Sequence, residues 1–149
     1  MEAEVYPDER VRRFIRDHFI AVKIHIGEQP ELFARFGARW TPTVQILDPE
    51  GNRRHQVEGF LPPEDFLGQL KLGLAHAAFA REDWKEAVRR FEDILDAHPG
   101  SDAAPEALYW RGVTRYKASG DPADLMETGA AFKTRYVNTP WAKKASVWG

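Results

Sequence analysis

A Trp40-Thr41-Pro42-Thr43 step leads directly into an apolar run from Val44 to Leu47, which ends at a Pro49-Glu50-Gly51-Asn52 turn. Proline has no N–H for a sheet ladder and lowers the cost of a cis bond to about 1 kcal/mol. A proline at the entry of a strand therefore marks a purpose-built turn, and such turns often face a ligand. Other reactive residue types are sparse. The chain has no cysteine, which excludes internal disulfides and thiol chemistry on this chain. The serines are Ser101, Ser119 and Ser146, and none sits in a Gly-x-Ser-x-Gly elbow.

The histidines, His18, His25, His55, His76 and His98, are scattered without metal-ligand spacing, so no metal site is predicted. His25 alternates with isoleucines and reads as a polar-face residue; the others read as surface positions. Glu64-Asp65 and Glu82-Asp83 are adjacent carboxylates. Adjacent helical residues do not face each other, and both pairs lie where acids favour a helix start, so they read as caps. No Gly-x-Gly-x-x-Gly or Gly-Lys-Ser/Thr loop is present, and no nucleotide or other cofactor is implied.

The elements that must position the Thr41-Pro42 step change character near Leu61. Before it, Ile20, Val22, Ile24 and Ile26 repeat with period two, as do Val44 and Ile46, and Arg53 to Glu58 follows Gly51-Asn52 as a hairpin return strand. Asp8 caps a first helix with Val11, Phe14, Ile15 and His18 on one face, and a second begins near Pro30 and stops at Gly37. The predicted order is helix, strand, helix, strand, strand.

After Leu61 the pattern is helical. Pro62-Pro63-Glu64-Asp65 opens a helix whose apolar face is Phe66, Leu67, Leu70, Leu74, Ala77 and Ala78. Trp84, Ala87, Val88, Phe91, Ile94 and Leu95 mark the next, closed by His98-Pro99-Gly100. Ser101 or Asp102 caps a third through Tyr109, Gly112, Val113 and Tyr116; Asp121-Pro122 opens a fourth through Leu125, Phe132 and Tyr136; and Thr139-Pro140 starts a short last one. The aromatic residues of these helices fall mostly at core spacing. A weak internal repeat pairs Asp83 with Asp124, Trp84 with Leu125, Phe91 with Phe132 and Pro99 with Pro140. Its first copy, Ala78-Phe79, Trp84, Ala87, Phe91 and Pro99, resembles a tetratricopeptide repeat; the second is looser and more widely spaced than that family's about 34 residues.

Phe19 to Ile26, Pro30 to Gly37, Trp40-Thr41-Pro42-Thr43, the following turn and Gly59 together resemble the second half of a thioredoxin fold, over residues 5 to 79. The resemblance implies an α/β fold class: a partial thioredoxin-like sheet with flanking helices over residues 1–80, followed by an all-α tetratricopeptide-like segment over residues 81–149. It also implies a site. In that family the residue before the cis-proline offers its backbone to an extended peptide, which makes Trp40, Thr41, Pro42 and Gly59 the expected substrate- or peptide-binding residues, with no catalytic residue and no metal.

The family's disulfide exchange uses a Cys-x-x-Cys pair that this sequence lacks; in related proteins the stretch like Met1 to Asp8 directly follows that pair. Three expectations follow: an internal methionine start with the central strand and cysteines upstream, a shortened branch whose two strands pair directly, or a strand lent by another chain. The expected function is a non-catalytic peptide- or protein-binding adaptor; the alternative is a thiol-disulfide oxidoreductase whose N-terminal strand and Cys-x-x-Cys are missing from this chain. No redox activity is expected of these residues themselves.

Composition sets the outer limits. The 149 residues are 43% hydrophobic and 30% charged, enough for one core or two small ones. A net charge of −2, with both signs mixed along the sequence, gives no electrostatic reason to expect nucleic acid or an anionic membrane. Met1-Glu2-Ala3-Glu4-Val5 lacks a signal peptide's basic and apolar regions, which sets the cytoplasm as the expected location. The expected partner is a peptide or protein, with a homo-oligomer through open sheet edges as a further expectation.

Overall fold

A computed structural model of the chain describes residues 7–149. Of the Met1 to Asp8 stretch that the resemblance sets beside a cysteine pair, residues 1–6 lie outside the described residues. The elements in order are α1 (Glu9–His18), α2 (Pro30–Arg35), β1 (Thr43–Leu47), β2 (Arg53–Glu58), α3 (Pro63–Ala80), α4 (Trp84–Ala97), α5 (Ala103–Ser119), α6 (Ala123–Phe132), α7 (Pro140–Ala145) and a closing 3-10 turn (Ser146–Trp148). A small sheet with flanking helices is thus followed by a helical segment.

Local chemistry explains most boundaries. The Asp8 carboxylate accepts from the Arg10 and Val11 N–H groups at the start of α1, Asp83 accepts from Glu86 N–H at the start of α4, and the Thr139 hydroxyl accepts from Ala142 N–H ahead of Pro140. The Gly37 and Gly120 backbones end α2 and α5 at φ of 64° and 74°, where a side chain would be strained. Asp102 stands at the N-cap position of α5 but caps nothing with its carboxylate; its own N–H donates to Asp65 Oδ1 at 3.2 Å.

β1 and β2 form an antiparallel hairpin, with Val44 opposite Val57 and Gln45 opposite Gln56, and a bulge between Ile46 and Leu47. The Asp48 carboxylate builds the turn by accepting from the Glu50 and Asn52 N–H groups. Two strands make up the whole sheet among the described residues.

The predicted strand from Phe19 to Ile26 does not form. Among the described residues no strand is assigned over that segment, and Ile20, Val22 and Ile26 are 98%, 78% and 51% exposed. Period-two alternation marks a strand only when another strand takes its N–H and C=O groups, and none of the described residues does so here.

Two cores share α3. Phe66, Leu67 and Leu70 in its first half pack with Val11 and Ile46, while Leu72, Ala75 and Ala78 in its second half join Ala87, Phe91, Ile94, Ala104 and Leu108. This corrects the predicted face of α3. Leu72 and Ala75 are buried, whereas Leu74 and Ala77 are only half-buried, because the helix is covered by different partners along its length. Close approach is set by glycine: a Cβ at Gly73 would run into the Ile46 side chain, and one at Gly112 into Thr128.

The fourth predicted helix ends early. α6 stops at Phe132, and Tyr136 instead takes a φ of 57° with its hydroxyl donating to the Pro99 carbonyl at 2.8 Å. That bond holds the Tyr136 ring off the helix axis and against the helical core.

Candidate functional site

The Thr41–Pro42 peptide bond is cis. Backbone and side-chain bonds fix the step on both sides: the Thr43 hydroxyl donates to the Trp40 carbonyl at 2.5 Å, and Gly59 N–H donates to the Pro42 carbonyl at 2.8 Å. The second bond sets the Gly59-Phe60 step, at the end of β2, beside the Thr41-Pro42 step at the start of β1. Gly59 has a φ of +86° and nothing within 4 Å of where a Cβ would stand.

Thr41 is exposed, and its backbone N–H and C=O make no hydrogen bond with any described residue. Two large apolar side chains flank it in the chain and across the Gly59–Pro42 bond: Trp40 is 67% exposed and Phe60 is 63% exposed. The edge of β1 that does not face β2 is also without a partner strand among the described residues. Chemically, the arrangement offers backbone donors and acceptors beside aromatic surface, with no nucleophile or acid–base pair.

Residues 1–73 match the family model of the thioredoxin-like domain. Over these residues the chain is similar to a thioredoxin-like domain. Comparison with curated proteins and with solved structures returned no match. The thioredoxin-like half runs through the Thr41-Pro42 step, the hairpin and the first half of α3, so the family match and the sheet core cover the same elements. No helix among the described residues is long and apolar enough to cross a membrane.

The histidines behave differently from their sequence reading as surface positions. His18 and His25 are exposed, but His98 is 7% exposed and hydrogen-bonds the Glu64 carboxylate, which also receives Arg10 at 3.0 Å. Glu64 is held below the usual carboxylate range by the His98 hydrogen bond and, more weakly, by Arg10. Glu64 and Asp65 are therefore more than caps: they tie α3 to the end of α4 and the start of α5.

His55 on β2 and His76 on α3 are half-buried and converge on Glu106 of α5. Burial holds the His55 imidazole below its ordinary value, against a Gln69 hydrogen bond that acts the other way. No spacing in the sequence links these three. The available signal is His76 itself, which falls with Leu72, Ala75 and Phe79 at i, i+3, i+4 and i+7 of one helical stripe; a polar residue there must have a partner.

Proposed function

We propose that this chain is a non-catalytic thioredoxin-like protein that binds an extended peptide or protein segment at Trp40, Thr41, Pro42 and Gly59. The observation that carries the reading is the free backbone N–H and C=O of exposed Thr41, which follows exposed Trp40 in the chain at a step bonded to Gly59, the residue before exposed Phe60. Main-chain groups of this kind give affinity to an extended ligand independent of its sequence, and neighbouring aromatic surface adds the apolar contact. Without a cysteine the chain supplies no thiolate, so these residues can hold a partner but not exchange a disulfide with it.

In this reading residues 1–80 are the thioredoxin-like binding unit, and residues 81–149 are tetratricopeptide-like helices that support it. The close Gly112–Thr128 approach of α5 and α6 favours such paired-helix packing. The cytoplasm is the location we assign to it.

The test is an amide NMR titration of the full chain with a mixture of short, uncharged, extended peptides. Shifts gathered at Trp40, Thr41, Thr43, Gly59 and Phe60, and lost in W40A, would bear the reading out. Shifts confined to α4 through α7, or none at saturating peptide, would overturn it.

A further inference from the structure

We propose that His55, His76 and Glu106 form a binding site for a divalent transition-metal ion of the zinc class, with three protein ligands and one position left for water. Each residue offers one donor atom, and the three atoms lie within 4.8 Å of one another. His76 Nε2 and Glu106 Oε1 are 3.1 Å apart. Two ligands held at about 2.0–2.1 Å in tetrahedral geometry stand about 3.3 Å apart, so this pair already has the spacing of one edge of a zinc polyhedron. Bringing the His55 ring nitrogen onto the same ion asks for a side-chain movement of about 1.5 Å at most.

The donors come from three elements, β2, α3 and α5, and both β2 and α5 pack against α3. Neighbouring groups hold both rings in place. His55 Nε2 is hydrogen-bonded to Gln69 Oε1 at 2.6 Å, which fixes the orientation of that ring. The His76 ring stands edge-on to Phe91 and Trp110 at 5.5 and 5.4 Å between centroids, which limits its rotation. An ion bound at His76 Nε2 would replace the present hydrogen bond to Glu106, with the ring's own proton carried on Nδ1.

The donor chemistry selects the metal. Two imidazoles and one carboxylate suit Zn²⁺, Co²⁺ or Ni²⁺, whereas Ca²⁺ and Mg²⁺ require a set of oxygens. The His76 and Glu106 side chains keep 15% and 18% of their exposure, enough for water to reach a fourth position. With one ligand on the sheet and two on the helices, the ion would staple the hairpin to α3 and α5. This site is separate from Thr41-Pro42 and does not depend on the function proposed for that step.

The experiment is calorimetric titration of the full, untagged chain with ZnCl₂, with CaCl₂ as the comparison, and the absorption spectrum of the CoCl₂-loaded protein. One Zn²⁺ per chain, no Ca²⁺ binding and an intense tetrahedral Co²⁺ spectrum are expected. H76Q and E106Q should each weaken Zn²⁺ binding by at least about tenfold, while the H18Q/H25Q double variant leaves it unchanged. Should a ligand variant fail to fold, histidine ring NMR of the unaltered chain decides: Zn²⁺ must move the His55 and His76 resonances. No Zn²⁺ binding, unchanged binding in H76Q, or shifts at His18 and His25 instead would overturn the site.

Discussion

His98, buried at the end of α4, hydrogen-bonds through Nδ1 to the carboxylate of Glu64 in the first turn of α3, 34 residues earlier in the chain. Arg10 of α1 reaches the other oxygen of the same carboxylate. One acidic side chain thereby joins three helices. Substituting H98A leaves a carboxylate short of its main partner and should lower stability by about 1–3 kcal/mol in urea unfolding. Because Glu64 titrates lower in the folded chain than in the unfolded one, its contribution is complete above the unfolded value of 4.5 and disappears as pH falls through the folded value. The acid side of the stability curve should therefore be shallower in H98A than in the unaltered chain.

Glu86 gives a second acid-dependent term. Its carboxyl is held at about 2, first by the hydrogen bond from Arg89 and then by the charges of Arg90 and Arg89, against 4.5 when unpaired. The stabilisation is complete above 4.5 and is lost as pH falls toward 2. The pairs lie at the surface, so E86Q should cost only about 0.5–1 kcal/mol at neutral pH, and nothing once the carboxyl is protonated. Paired thermal melts across that range measure the difference.

Gly73 reverses the usual effect of alanine in a helix. Exchange of an interior glycine for alanine ordinarily stabilises a helix by about 1 kcal/mol, but here the new methyl would meet Ile46 of β1. G73A should instead destabilise by about 1–3 kcal/mol, and a G73A/I46V pair should be less unstable than the two single costs imply. Urea unfolding of the four proteins tests both statements.

The apolar residues of the 19–26 segment should tolerate charge. I20K and V22K change side chains that are 98% and 78% exposed, and stability should move by no more than about 0.5 kcal/mol. A loss of several kcal/mol in the full chain would show instead that another strand covers them.

Trp40 and Phe60 separate binding from folding. Both are largely exposed, so W40A and F60A should leave the melting temperature nearly unchanged while removing the peptide-induced NMR shifts. Peptide binding that survives both substitutions would move the site elsewhere.

The sequence made the local signals legible: Asp8, Asp83 and Thr139 cap the helices that their types predict, and Gly51-Asn52 turns the hairpin. The Thr41-Pro42 step was legible for the same reason, as proline and its neighbours act over a few residues. What the sequence could not carry was partnership at long range. Ile20 to Ile26 has a strand's alternation, but its outcome depends on what lies beside it. Leu72 and Ala75 are buried because a second core meets α3 halfway along, and His55, His76 and Glu106 meet only through the packing of β2, α3 and α5.

The division of α3 between two cores bears on how the protein comes apart. A two-stranded hairpin is marginal in water without a covering helix, and the helix covering this one is rooted by its second half among α4 and α5. Neither core can melt without withdrawing half of that helix's contacts from the other. Heat should therefore dismantle sheet and helices in a single cooperative step, and α3 acts as the shared spine that makes two small cores behave as one.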